Sequence, residues 1–258
     1  KSNYKRLTTR MNASYNVSRR LTVSNNFNLN VVNNNGIDAE QMVNSLYTWL
    51  PYWNVTDVSG NVMPAVGGKY SAYLRAEQEK NQMKQFSVNA QVAVQYKITD
   101  WLSFKASFAG SVRTLKKYFF RPTTLLSSTG HTTGYDLTGL NYSWRNEDYL
   151  QFNKKFLGHK VSAMLGFGVY DYHVENAQVY GMDFNNDYVW TLNNATVFPV
   201  SKNYSNQTEH GMMSVFTRAS YDYKGKYLFA GNLRLDGSSR FSKSNRWGFF
   251  PSASAEIT

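Results

Sequence analysis

Apolar and polar residues alternate along most of this chain. Between 86 and 98, Phe86, Val88, Ala90, Val92, Val94, Tyr96 and Ile98 fall on one side of an extended backbone, and Ser87, Asn89, Gln91, Ala93, Gln95 and Lys97 on the other. Successive side chains of a strand point to opposite faces, so this period of two predicts a strand with one apolar face. It is long beside the usual run of about 5–6 residues. The pattern recurs. Leu7, Thr9, Met11, Ala13, Tyr15 and Val17 oppose Arg6, Thr8, Arg10, Asn12, Ser14 and Asn16, while Leu21, Val23, Phe27, Leu29 and Val31 oppose Thr22, Ser24, Asn26, Asn28 and Asn30. Leu102, Phe104, Ala106 and Phe108 form a further apolar row, as do Val161, Ala163, Leu165, Phe167 and Val169. Weaker alternation runs through 142–156, 212–223, 226–236 and 248–257.

The connections between these strands alternate too. Short turns are expected near Ser18–Arg20, Thr99–Asp100, Leu157–His159 and Lys224–Gly225, and long loops over 33–82, 112–140 and 172–210. Short turns on one rim and long loops on the other are what a transmembrane β-barrel produces. In the first long loop the spacing predicts a helix. Asp38 is its cap with Gln41 as the box partner, Ala39, Met42, Val43, Leu46 and Leu50 recur at helical intervals, and Pro51 is the stop.

Composition sharpens the reading. Aromatic residues make up 16% of the chain and charged residues 17%, the latter against roughly 25% in ordinary soluble domains. The mean hydropathy is nevertheless −0.50, so amides and hydroxyls carry the polarity. No stretch approaches the ~20 apolar residues of a membrane helix, yet strands also span a membrane if they close on themselves. Trp101, Tyr15, Tyr96, Tyr221, Tyr223 and Tyr227 gather near the short turns, as an interfacial aromatic girdle would. The formal charge of +11 raises nucleic acid as a partner, but the basic residues are dispersed and form no run, which reads as a solvated face and not a nucleic-acid site. The absence of cysteine excludes disulfides and thiol chemistry.

Catalytic and metal signatures do not emerge. The four histidines, His131, His159, His173 and His210, have no metalloprotease spacing, and His159 is expected in a turn facing solvent. Gly166 and Gly168 lack the third glycine and the helix of a dinucleotide site. Asn146, Glu147 and Asp148 read as a solvated strand end. No enzyme activity and no cofactor are expected.

One stretch carries a denser signal. After "YDYKGK" at Tyr221–Lys226 come "YLFAGNLRLDGSSRF" and "SKSNRWGFFPSASAEIT". Asp236-Gly237 is a turn signal, with Gly237 permitting a bend and Asp236 bonding nearby amides. Arg234, Asp236, Gly237, Ser238, Ser239, Arg240 and Phe241, followed by Arg246, Gly248, Phe250, Pro251, Ser252 and Ser254, resemble the barrel segment of SusC/RagA-type TonB-dependent outer-membrane receptors of Bacteroidetes. "YKITDWLSFKASF" at 96–108 resembles that family's short-turn hairpins more loosely, and Glu256 and Ile257 depart from its usual ending.

The resemblance implies an all-β antiparallel transmembrane barrel of about 22 strands, of which residues 1–258 hold about ten as a single partial region, with the plug domain and the other strands outside this chain. It implies active import of glycan or peptide across a Gram-negative outer membrane, with a SusD-like lipoprotein as lid, TonB as the energy source through the plug, and lipid around the wall. Arg234 and Arg240 are then expected to pair with carboxylates or loop carbonyls. Trp49, Tyr52 and Trp53 in the first long loop, with Tyr135, Trp144 and Trp190 beside later ones, are the candidate contacts for an oligosaccharide or peptide. A passive porin and a secreted carbohydrate-binding β-sandwich remain as alternatives.

Overall fold

The computed structural model describes residues 2–36, 39–67, 69–125 and 130–257. Two long strands open the chain, β1 (Asn3–Asn16) and β2 (Leu21–Asn35). A long connection follows, with helix α1 (Ala39–Thr48), a two-stranded ribbon of β3 (Ala65–Val66) and β4 (Lys69–Tyr70), and helix α2 (Ala72–Gln78). Then come β5 (Lys80–Lys97), β6 (Leu102–Arg121), β7 (Thr133–Phe156), β8 (His159–Phe184) and the short β9 (Ala195–Val197). The last three strands are β10 (Tyr204–Tyr223), β11 (Tyr227–Ser238) and β12 (Trp247–Ile257). The long strands form one antiparallel meander, β1-β2-β5-β6-β7-β8-β10-β11-β12, with β9 against the end of β8. The fold is an all-β, antiparallel barrel segment.

Register explains why one sheet has two different faces. Val92 lies opposite Phe108 on β6 and Asn25 on β2, and Val94 opposite Ala106 and Val23. Leu150 opposes Phe104 and Leu165, and Val215 opposes Phe167 and Leu235. Residues in register share a face, so the apolar rows join into one outward band. That band stays open: Val92, Phe108 and Phe229 are all exposed. Among the described residues the only other sheet is the two-stranded β3–β4 ribbon, too small to be the second layer of a sandwich, so the sandwich alternative is corrected. From Tyr227 to Gly237 the strand advances roughly 33 Å. A tilt of about 40° reduces this to about 25 Å, the height of an outer-membrane apolar band.

The rims match the sequence reading at the short-turn end. Leu157, with φ +46°, and Gly158 turn β7 into β8, and Lys224 and Gly225 turn β10 into β11. Trp101 packs edge-on to Phe152 with ring centroids 5.3 Å apart, and Lys154 Nζ lies 5.8 Å from the indole. His159, expected in solvent, instead sits between Phe156 and Tyr223 and hydrogen-bonds the Tyr221 hydroxyl at 2.6 Å. It belongs to the girdle.

The long loops are shorter than expected. The segments 33–82, 112–140 and 172–210 contract to 36–79, 122–132 and 185–203 because the strands run on past the apolar band. Backbone pairing persists there, as at Tyr135↔Tyr180 and Thr133↔Met182. A small aromatic core supports it. Phe120 and Leu125 are each 1% exposed, and Phe184 meets Phe120 at 4.9 Å. Helix α1 forms over the expected stretch; its Asp38 cap and the Gln41 side chain lie outside the described residues. Helix α2 is capped by Ser71, whose hydroxyl accepts from Leu74 N. Arg75 then reaches Ser45 Oγ at 2.7 Å, and the buried Glu79 carboxylate holds both Arg75 and Arg121. The first loop is thereby bolted to the head of β6.

Candidate functional site: the inward polar wall

The polar half of each alternating strand forms the other face of the sheet. Asn12 opposes Asn26, which opposes Gln91, and the row continues through Ala109, Arg145, Tyr170 and Met212. A cavity of about 560 Å³ opens on this face, lined by Arg10, Asn28, Asn89, Ser111, Arg145 and Tyr170 among others. A second, of about 410 Å³, continues it past Glu147, Ser214, Phe216 and Arg234. The surface is a dense set of carboxamides, hydroxyls and guanidiniums. It can hydrogen-bond a polyol or peptide through many weak, exchangeable contacts. The sequence reading named Arg234 as a motif residue and placed Glu147 in a solvated strand end; it named none of the others as a site, and its alternating rows stopped short of Ser111 and Tyr170.

The Arg234–Ser254 stretch is built into this wall. Arg234 points inward, donates Nε to both Asp236 carboxylate oxygens at 2.8 Å, and reaches Ser214 Oγ at 3.1 Å. Its guanidinium also lies 5.8 Å from the centre of the Phe216 ring. Asp236 therefore binds a side chain and not the nearby amides. Gly237 makes no bend, since it lies within β11 directly opposite Trp247. A Cβ there would come within 2.8 Å of the indole, so glycine leaves a shelf for Trp247. Gly248 makes the same room for Phe250.

Ser238 N donates to Arg246 O, and Ser239 pairs with Gly211 through backbone and hydroxyl. Among the described residues Arg240 meets His210 at 3.2 Å and no carboxylate, while Phe241 is exposed. Pro251 lies within β12, opposite Leu233 of β11. Ser252 Oγ accepts from Asn232 Nδ2 at 3.1 Å. The motif is a set of packing and pairing devices for the last hairpin.

Gly166 is another shelf: a Cβ there would lie 2.4 Å from the Phe216 ring. Gly166→Ala is expected to destabilise the full-length protein by about 1–3 kcal/mol through overpacking. Gly110→Ala, at a position with open space around it, should be nearly neutral. Heat-modifiability on gels would compare the two, and equal midpoints would refute the packing role.

The six aromatic candidates do not converge. Trp49 and Trp53 pack edge-to-face at 5.8 Å, with Trp49 Nε1 donating to Trp53 O, and the Trp53 ring lies against Gly67. Tyr52 beside them is 77% exposed. In the same loop Asp57 accepts from the Asn61, Ser59 and Gly60 amides, the Asn61 bond foremost, which holds its carboxyl below the usual range. Tyr135 stacks inward on Phe119 at 5.2 Å. Trp190 packs on Tyr118. Trp144 stands on the outward face and stacks on Phe108 at 6.2 Å. Asn146 and Asp148, expected at a strand end, lie mid-β7 on the outward side, with Asn146 Nδ2 donating to Ser107 O and Asp148 Oδ1.

No family model matches the chain. It is 28% identical over 252 residues to TonB-dependent receptor P39 of Formosa agariphila, which covers 97% of this chain and 24% of that protein. It is 27% identical over 189 residues to TonB-dependent receptor SusC of Bacteroides thetaiotaomicron, covering 70% of this chain and 18% of that one. Among solved structures, the RagAB peptide transporter superposes with a TM-score of 0.83 at 19% identity, covering 98% of this chain and 30% of that chain. The siderophore receptor PiuA from Acinetobacter baumannii superposes with a TM-score of 0.54. The chain thus spans about a quarter of the length of its first curated relatives. These relatives are receptors and transporters, not enzymes.

Proposed function

We propose that this run of barrel wall, of the SusC/RagA type of TonB-dependent receptor, lines the import path of an outer-membrane transporter for oligosaccharides or peptides. The observation that carries the reading is the division of one sheet into an outward apolar band and an inward wall of amides, hydroxyls and arginines. Similarity to SusC and to the RagAB peptide transporter supports nutrient uptake. In this reading a SusD-like lipoprotein closes the long-loop end, and TonB acts through a plug encoded outside these residues. The loop of Trp49, Tyr52 and Trp53 meets the substrate before the wall does.

Growth tests this directly. A strain lacking the full-length receptor should lose growth on one class of oligosaccharide or peptide as sole carbon source, and a strain with inactive TonB should show the same loss. Growth that persists without TonB would favour the passive porin. In the receptor itself, Trp49→Ala with Trp53→Ala should lower uptake while heat-modifiability stays normal. Unchanged uptake would remove that loop from the path.

A further inference from the structure

We infer that Lys5, Lys84 and Lys116 form a binding row for the phosphate groups of outer-leaflet lipid. The three come from different strands but from one line of the sheet: Lys5 opposes Asn33, Asn33 opposes Lys84, and Lys84 opposes Lys116. All three are exposed and share the outward face with Leu7, Val31 and Phe86, the next outward row toward the short-turn end. With strands spaced at about 4.8 Å, the row is about 14 Å long.

The height of Lys84 fits a headgroup layer, and at a tilt of about 40° the row climbs about 9 Å through that layer from one end to the other. Lys84 lies on the strand that carries Tyr96 of the girdle. From Tyr96 to Lys84 the strand advances roughly 40 Å, or about 30 Å after tilt, just beyond the apolar band. The row lies toward the long-loop end, the outer side of such a barrel. A lysine there lays its methylene stem on apolar surface and its ammonium among headgroups.

Charge makes the same point. Lys84 and Lys116 face each other directly across β5 and β6, an arrangement that is unfavourable for like charges. Among the described residues none of the three forms an ion pair within 4.0 Å. The field of Lys116 reaches the Asp136 carboxylate on β7, yet no carboxylate of the described residues pairs with any of the three. A phosphate seated between Lys84 and Lys116 relieves the repulsion, and a second near Lys5 and Asn33 fits the length of the row. A lipid with two phosphates on its headgroup therefore matches the site better than one with a single phosphate. The inference rests on the barrel's orientation in the membrane and not on the transported substrate.

The test uses the full-length receptor in detergent, with native mass spectrometry after mixing with bis-phosphorylated lipid A or its dephosphorylated form. The wild type should retain the phosphorylated lipid preferentially, and Lys84→Gln with Lys116→Gln should weaken that retention roughly tenfold or more. Lys84→Arg with Lys116→Arg should keep it, so a loss seen only in the glutamine variant is not a folding defect. Should the glutamine pair fail to assemble, Lys5→Gln alone should still lower retention several-fold. Equal retention of both lipids, displacement by inorganic phosphate alone, or indifference to these substitutions would overturn the inference. Growth on the transported nutrient should be unaffected in either case.

Discussion

Arginine at Val92 is expected to cost the full-length receptor about 2–4 kcal/mol of stability, and arginine at the adjacent Gln91 much less. Val92 is outward and 51% exposed, in a line with Phe108 and between Ala90 and Val94 on its own strand. An arginine there must place its charge in hydrocarbon or bend toward a rim. Gln91 faces the cavity with Asn26, Ala109 and Arg145, where water and amides can solvate a guanidinium. Denaturant unfolding in lipid vesicles measures both variants. Equal losses at the two positions would contradict the face assignment.

The second large effect concerns the piece in isolation. Expressed alone and without detergent, residues 1–258 are expected to give no monodisperse, water-soluble monomer. β1 and β12 end the sheet, each with one neighbour, so both present unpaired backbone donors and acceptors. Exposed edges of this kind template pairing with other chains. The outward band adds an apolar surface that water does not tolerate at that size. Sedimentation and light scattering after refolding in buffer would show aggregates. A soluble monomer that melts cooperatively would mean that the band is covered in some other way.

What was legible in the sequence was the face of each strand. Alternation from Phe86 to Ile98 assigned every residue of that stretch to its correct side, because a lipid-facing side chain and a water-facing one differ sharply in chemistry. Past the apolar band that contrast vanishes. Around Tyr170, Tyr172, His173 and Tyr180 both faces are wet or aromatic, so the continuation of β8 read as loop although its backbone ladder is unbroken. Gly237 was misread for a different reason. Asp-Gly is a turn signal from local preference alone, and the Trp247 ring that requires a bare backbone comes from the next strand.

The inward wall was legible where the alternation was strong, as at Arg10, Asn28 and Asn89, and invisible as a site. No spacing along the chain joins Arg10, Asn89 and Arg145; only cross-strand register does. The aromatic candidates fared differently. Trp49 and Trp53 were rightly placed in one loop, but their edge-to-face contact and the seat of Trp53 against Gly67 are set by the folded loop and not by spacing along the chain.

Each long strand of this wall pairs with the long strands immediately before and after it in the chain. Growth of the sheet can therefore proceed in order of synthesis, one hairpin added to a waiting edge, with no segment held open for a distant partner. Loop closure is cheapest where the turn is two or three residues and dearest across 36–79, since the entropy lost rises with the length enclosed. The seam between β2 and β5 is then the slowest to zip. A lesion that weakens it would leave a finished hairpin on one side and an intact β5–β12 arc on the other.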